Sequence, residues 1–267
     1  MHARAPERLV WIASYPKSGN TWVRFMLANL LFGRQESAAG LGALIPDIHE
    51  FGALPTHPPA GLLKTHHAFS PQLAYAAQTA AAIYVVRHPA DVLASNFFYA
   101  QRRGAQTPDS SAAFDEYFER FLGHRGDPHW IERGMGSWEE NVRSWRSAAH
   151  PFPVLTIRYE DLSANPDAVC AELAKLLRPD STEDEIRRAV QDSSFQRMRE
   201  IERADIREKR VGIFYKPYLQ ASIDSGRRFM RRGVVGDGAA RLTAAQRERL
   251  HGAFEPLMRE LNYSIAA

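Results

Sequence analysis

Four short segments of the chain carry residues whose types and spacing could do chemistry. The first is Ser14-Tyr15-Pro16-Lys17-Ser18-Gly19-Asn20-Thr21-Trp22, between an apolar run and a stretch of helical spacing. A strand-to-helix junction aims unpaired backbone N–H groups and the positive end of the helix dipole at one point, which suits an anion such as phosphate. Gly19 lets the backbone come close, Ser18 and Thr21 add hydroxyls, and Lys17 adds a point charge. A polar turn with a surface lysine is the competing reading. The loop is not of the Walker A type, in which the lysine follows the last glycine; here Lys17 precedes the only one. The second segment is Lys64-Thr65-His66-His67. A histidine at a strand end can take a proton near neutral pH, and a neighbouring lysine can stabilise charge on a leaving group. His67 reads as an ordinary polar loop residue. The third is Arg87 with Ser95 eight residues later, a pair that could reach one phosphate from a strand end and a helix. The fourth is Arg231-Arg232-Gly233, running on to Gly236-Asp237, with Arg227 and Arg228 just before it. Guanidinium forks suit phosphate, and a flexible basic loop is the alternative.

These residues need elements to hold them. Leu9 to Ala13 is a continuous apolar run, as expected of a strand buried on both faces. Trp22, Phe25, Met26, Asn29 and Leu30 then fall at helical spacing. Further strands are predicted at 61–64, 82–86 and 154–157. Helices are predicted to start at Ser70-Pro71, near Pro89, at Ser137 and Pro166, and at Thr182 and Thr243, where Ser or Thr precedes Glu or Gln by three residues. Strands alternating with helices predict an α/β domain, a central parallel sheet covered on both sides. Residues 1–267 read as one domain. Segments 101–135 and 204–232 read as irregular, and as mobile or substrate-gating.

Composition narrows the function. The chain has 267 residues, 45% of them hydrophobic and 24% charged, with a formal net charge of +3. That balance excludes a general polyanion coat. The single cysteine, Cys170, excludes an internal disulfide and a cysteine-based zinc cluster. No HExxH and no convincing carboxylate cluster suggests a metal. The uncharged stretch Ala68–Val86 is interrupted by Ser70, Pro71, Gln72, Gln78 and Thr79, so it is not read as a membrane span. The apolar run at the N-terminus is too short for a signal peptide, and a cytoplasmic protein is expected.

Taken together and in order, the motifs resemble the PAPS-dependent sulfotransferase family (PAPS is 3′-phosphoadenosine 5′-phosphosulfate). Tyr15 to Trp22 is similar to its Y-P-K-S-G-x-T-W loop, and Lys64-Thr65-His66 to its K-T-H. Arg87, Pro89, Asp91 and Ser95 match R-x-P-x-D-x-x-x-S; Tyr159-Glu160-Asp161-Leu162 matches Y-E-D-L; Ser194-Phe195 matches S-F. Arg231-Arg232-Gly233 through Gly236-Asp237 is similar to R-K-G-x-x-G-D. The stretch Trp11–Leu27, with segments 136–138 and 141–145, is most similar to the bacterial branch that sulfates small molecules such as glycopeptide antibiotics.

The resemblance implies a fold of the P-loop-NTPase-like sulfotransferase kind, PAPS as donor, adenosine 3′,5′-bisphosphate (PAP) as product, and no metal. It implies that Lys17, Ser18, Gly19, Asn20 and Thr21 bind the 5′-phosphosulfate. Trp22 and Phe195, the latter beside Ser194, would flank the adenine, with Tyr159 at its edge. Arg87, Ser95, Arg231 and Gly233 would hold the 3′-phosphate, with Arg232 in the same motif. His66 would be the general base, and Lys64 and Lys17 the electrostatic catalysts. Two departures stand out. Asn20 replaces the more usual threonine, and Gly238 and Ala239 stand where tryptophan and lysine often follow G-D. The animal-type dimerisation motif keeps only Thr243 and Glu248, so a homodimer stays open but not clearly by that route.

The expected partner is a small-molecule hydroxyl acceptor, with no nucleic acid and no membrane span. Phe51, Phe69, Phe97 and Phe98 are candidates for an apolar acceptor pocket or for core. Competing functions are a P-loop nucleotide-dependent kinase and a non-catalytic 3′-phosphonucleotide binder on the same fold. The kinase would need a Mg²⁺-holding hydroxyl directly after the loop lysine and an acidic strand end.

Overall fold

Residues 8–50, 61–104 and 109–263 are described by a computed structural model. Strand β1 (Leu9–Ser14) leads through the loop 15–19 into helix α1 (Asn20–Phe32) and then α2 (Ala38–Leu44). Strand β2 (Leu62–Thr65) is followed by β3 (Thr79–Val86), α3 (Pro89–Arg102), α4 (Ser111–Gly123), α5 (Pro128–Ile131) and α6 (Trp138–Trp145). Strand β4 (Val154–Arg158) runs directly into α7 (Tyr159–Ala164), then α8 (Pro166–Leu177), α9 (Glu183–Asp192) and α10 (Phe195–Arg207). Helices α11 (Gln220–Asp224) and α12 (Ala244–Glu260) close the order.

The four strands form one sheet in the order β2-β1-β3-β4, and every pairing is parallel. Alternation along the strands splits the core in two. Trp11, Ala13, Tyr84 and Val86 face the layer of α3, α4, α6 and α12. Ile12, Ile83 and Val85 face the layer of α1, α8, α9 and α10. The sheet is thus covered on both sides, which is why its central strands read as unbroken apolar runs. Because all four strands point the same way, their C-terminal ends deliver Tyr15, His66, Arg87 and Tyr159 to one edge of the sheet.

The capping boxes at Ser137/Glu140, Thr182/Glu185 and Thr243/Gln246 form as predicted, and each opens a helix. Three sequence expectations need correcting. No α-helix starts at Ser70-Pro71; that stretch is a pair of turns and a short 3₁₀ turn at Ala76–Gln78. Tyr75 there takes a left-handed backbone (φ 63°), and the alanine-rich stretch offers no apolar stripe to bury. Strand β3 begins at Thr79, three residues before the expected start, because its small residues pair with β1 from Leu9 onward. Segment 101–135 is less irregular than expected: α4 buries Phe114, Tyr117, Phe118 and Phe121, an i, i+3, i+4, i+7 stripe. Segment 204–232 does run largely outside regular structure beyond α10.

Beside β2, residues 46–48 add a short parallel bridge. The Lys64 N–H donates to the Pro46 carbonyl (2.8 Å), and the Ile48 N–H donates to the Lys64 carbonyl (3.1 Å). Cys170 is fully buried, and burial pushes its thiol up to about 12, which leaves it unreactive. Among the described residues, no helix is long and apolar enough to cross a membrane, and no group of His, Cys, Asp or Glu is arranged to hold a metal ion.

Candidate active site

A cleft of about 280 Å³ opens at the C-terminal edge of the sheet. All the sequence-predicted site residues border it except Ser18 and Ser194. Ser18 lies beneath the loop, and its buried hydroxyl has no protein partner. Ser194 instead caps α10, its Oγ accepting the Arg197 N–H at 3.3 Å. His67 stays outside this cleft, as its reading as a loop residue implied.

The loop after β1 curls tightly. Lys17 and Gly19 both have left-handed backbones (φ 72° and 104°). A Cβ on Gly19 would lie 2.5 Å from the Tyr159 ring, so only glycine lets the loop and that ring approach. The Asn20 amide donates to the Ile12 carbonyl (3.0 Å) and the Ser14 hydroxyl (3.3 Å), tying the start of α1 to the end of β1. The Lys17 ammonium lies 4.2 Å from the Tyr99 ring centre and 4.1 Å from that of Phe229. Burial, then the charges of Arg102 and Arg87, bring the Lys17 amine down to about 7.

At the end of β2, His66 is oriented by β1. Its Nδ1 lies 2.8 Å from the Ser14 carbonyl oxygen. A carbonyl can only accept, so Nδ1 carries the proton and Nε2 keeps its lone pair. Burial and the nearby Lys64 charge hold His66 well below the ordinary histidine range, so it is neutral at pH 7. Its peptide is also fixed: the backbone N–H donates to His49 Nε2 (2.8 Å), and its carbonyl accepts from the Asn141 amide (2.9 Å). The Lys64 ammonium, almost fully buried, donates to Asp47 at 2.7 Å. Burial lowers the Lys64 amine, against the opposing pull of Asp47.

The far end of the cleft is built from β3, α3, α7 and the segment after Phe229. Arg87 lies over the Tyr159 ring (4.0 Å) and donates to Asp91 (3.2 Å) and to the Val234 carbonyl (2.9 Å). Asp91, in the first turn of α3, also accepts the N–H groups of Gly236 (2.9 Å) and Gly238 (2.7 Å). It therefore pins the C-terminal glycine loop to the arginine at the sheet edge. Tyr159 donates its hydroxyl to the Gly233 carbonyl (3.0 Å), and its ring meets Trp22 edge-on at 5.7 Å. Arg231 and Arg232 both pair with Asp237.

Gly233 has φ 67°, and a Cβ there would lie 2.4 Å from the Phe195 ring. Gly233→Ala is therefore expected to push Phe195 aside and destabilise the fold by roughly 1–3 kcal/mol through backbone strain and clash. A lower melting temperature checks this.

Of the aromatics weighed between acceptor pocket and core, Phe97 and Phe69 take the core side. Phe97 is buried against Phe114 and Tyr117, and Phe69 packs on Trp145 and Phe152. Phe98 lies under Arg231 and Arg241, and Phe51 falls outside the described residues. The helical turn of α3 sends Phe97 into the core and brings Tyr99 to the cleft, where Trp130, Met135, Ile213 and Phe229 join it. Sequence reading missed Tyr99, Phe229, Asp47 and His49. For the last two no sequence motif existed: the chain turns there, the Glu50 N–H donating to the Asp47 carbonyl at 3.0 Å.

The cleft thus gathers Lys17 from the loop after β1, Lys64 on β2, the neutral His66 just after it, and Arg87 at the end of β3. A family model described as "Sulfotransferase domain" matches residues 7–262. Sulfotransferase 1A1 of Canis lupus familiaris is 31% identical over 254 residues, 89% of this chain and 79% of the relative. Human sulfotransferase 1C2 is 28% identical, again over 89% and 79%. Among solved structures, mouse sulfotransferase SULT7A1 complexed with PAP superposes with a TM-score of 0.67 at 21% identity, covering 96% of this chain and 85% of that one. Retinol dehydratase in complex with androsterone and PAP gives 0.64 at 16% identity, covering 98% and 84%. The chain belongs to the sulfotransferase family, the PAPS-dependent enzymes whose motifs it carries.

Proposed function

We propose that the enzyme transfers the sulfuryl group of PAPS to a hydroxyl of a small or medium-sized acceptor, with His66 as general base. The observation that carries this reading is one cleft lined by two groups of residues. Lys64 and neutral His66 make one, Arg87, Tyr159 and Gly233 the other, and Lys17 borders the cleft with both. At the first, the N-terminus of α1 and Thr21 receive the 5′-phosphosulfate. Lys17 and Lys64 face the charge that spreads over the transferring group and its leaving oxygen. His66 Nε2 takes the acceptor's proton. At the second, Arg87, Ser95, Arg231 and Arg232 hold the 3′-phosphate, and Trp22 and Phe195 flank the adenine, with Tyr159 at its edge. The two arginines exchange Asp237 for that phosphate. Segments 101–135 and 204–232 gate the acceptor side, since Trp130, Met135, Ile213, Lys216 and Phe229 on them border the cleft.

Arg87→Ala tests the donor end. It removes charge-assisted hydrogen bonds worth roughly 1.5–3 kcal/mol, so PAP affinity is expected to fall about 10- to 150-fold. Adenosine 5′-monophosphate, which lacks the 3′-phosphate, is expected to bind nearly as before. Equal losses for both nucleotides in calorimetry would refute the assignment. Tighter binding of ATP–Mg²⁺ than of PAP by the wild-type enzyme would turn the reading toward a nucleotide kinase.

A further inference from the structure

We propose that Asp47 is a positioning residue of the transfer site, whose buried carboxylate orients the Lys64 ammonium and, through His49, the backbone at His66. The proposal rests on the reading of Lys64 given above.

The two carboxylate oxygens have separate tasks. Oδ2 accepts from Lys64 Nζ at 2.7 Å, with both side chains under a tenth exposed. Oδ1 accepts the backbone N–H of His49 at 3.0 Å. That contact fixes the turn from which the His49 ring reaches back to take the His66 N–H on its Nε2. The segment bearing Asp47 is itself bridged to Lys64 by two backbone hydrogen bonds, so the carboxylate cannot drift from the ammonium. One short segment therefore sets both the lysine and the histidine of the reaction centre.

The charges around Lys64 show why the carboxylate matters. Arg24 on α1 is a cationic neighbour, Lys17 in the β1–α1 loop is one only below about 7, and His49 and His66 are held neutral by burial and by Lys64 itself. The other carboxylate in range, Glu50, is engaged by Lys216 at 2.9 Å. Asp47 itself stays ionised: burial pushes its carboxyl up, but Lys64 and Arg24 outweigh that and hold it well below the usual range. Without Asp47, Lys64 would be a buried ammonium among like charges and would shed its proton.

The chain has five lysines, so ¹³C-lysine NMR can follow Lys64 by itself, its signal assigned by loss in Lys64→Met. In Asp47→Asn, Lys64 is expected to titrate about 1–3 pH units below its wild-type value. The single-turnover rate from PAPS to 4-nitrophenol, or to water where that phenol is refused, should lose its alkaline limb by the same shift. PAP affinity should change less than the rate. A Lys64 titration and an alkaline limb that both stay put would overturn the proposal. Asp47→Glu keeps the charge but moves it, and it serves if the asparagine variant does not fold. It should preserve the Lys64 titration while slowing transfer about 10- to 100-fold, and an unchanged rate would overturn the positioning role. Undiminished transfer by Lys64→Met would instead overturn the role given to Lys64, whatever Asp47 does to its titration.

Discussion

His66→Ala is expected to lower turnover by about 10²–10⁴-fold, the usual contribution of a general base, while leaving PAP affinity nearly unchanged. The Ser14 carbonyl determines which ring nitrogen carries the proton, and so leaves Nε2 as the acceptor. Burial and Lys64 keep the ring neutral, so at pH 7 Nε2 can accept a proton without any prior proton loss. The sign for pH follows. Imidazolium forms only as pH drops through the lowered value, so the acid limb of the rate should lie well below 6.5, the ordinary histidine value. An acid limb at 6.5 that survives in His66→Ala, or near-normal turnover of that variant, would remove His66 from the role. His67→Ala makes a useful control, since His67 borders a different pocket.

Lys17→Met is expected to slow sulfuryl transfer about 10²–10³-fold, the cost of removing one preorganised charge from a transition state of spread negative charge. It should also abolish a proton uptake. In the free enzyme burial and the guanidinium groups of Arg102 and Arg87 hold the Lys17 amine near 7. A bound polyanion reverses that balance and raises the amine above its free value. At pH 8.5 the wild-type enzyme should therefore take up close to one proton on binding PAP, and its affinity should weaken as pH rises above about 7. The phosphates of PAP are already ionised at that pH and do not mask the effect. Calorimetry in two buffers of different ionisation enthalpy counts the protons. An uptake of the same size in Lys17→Met would show that another group is responsible. The aromatic faces of Tyr99 and Phe229 favour the charged form of Lys17.

Much of the architecture was legible because local rules and the global fold agree. The run Leu9–Ala13, the glycine loop and the helical stripe from Trp22 specify strand, turn and helix by themselves. The Ser/Thr-x-x-Glu/Gln boxes placed three helix starts correctly. The stretch after Ser70-Pro71 failed because a capping signal is only permissive; a helix also needs an apolar face to bury. The donor-binding motifs were legible as ordered strings. Their convergence was not, since Arg87 meets the Val234 carbonyl across 147 positions of chain. The acceptor side was the least legible. Aromatic residues are equally at home in core and cleft, and only the turn of α3 sends Phe97 one way and Tyr99 the other. Asp47 was passed over for a similar reason. A lone aspartate in a sequence looks like a solvated residue until its cation is found seventeen positions away.

The short bridge at residues 46–48 has another consequence. Strand β2 is an outer strand of the sheet, and an uncovered outer strand is a template for adding a foreign one. Here its exposed side is occupied by Pro46, Asp47 and Ile48. The covering segment begins with a residue that has no N–H to offer and ends within a few residues, so it is a poor template in its turn. The three residues beside Lys64 thus also act as a guard against self-association through that margin of the sheet. A substitution that loosened them would be felt in solubility as well as in rate.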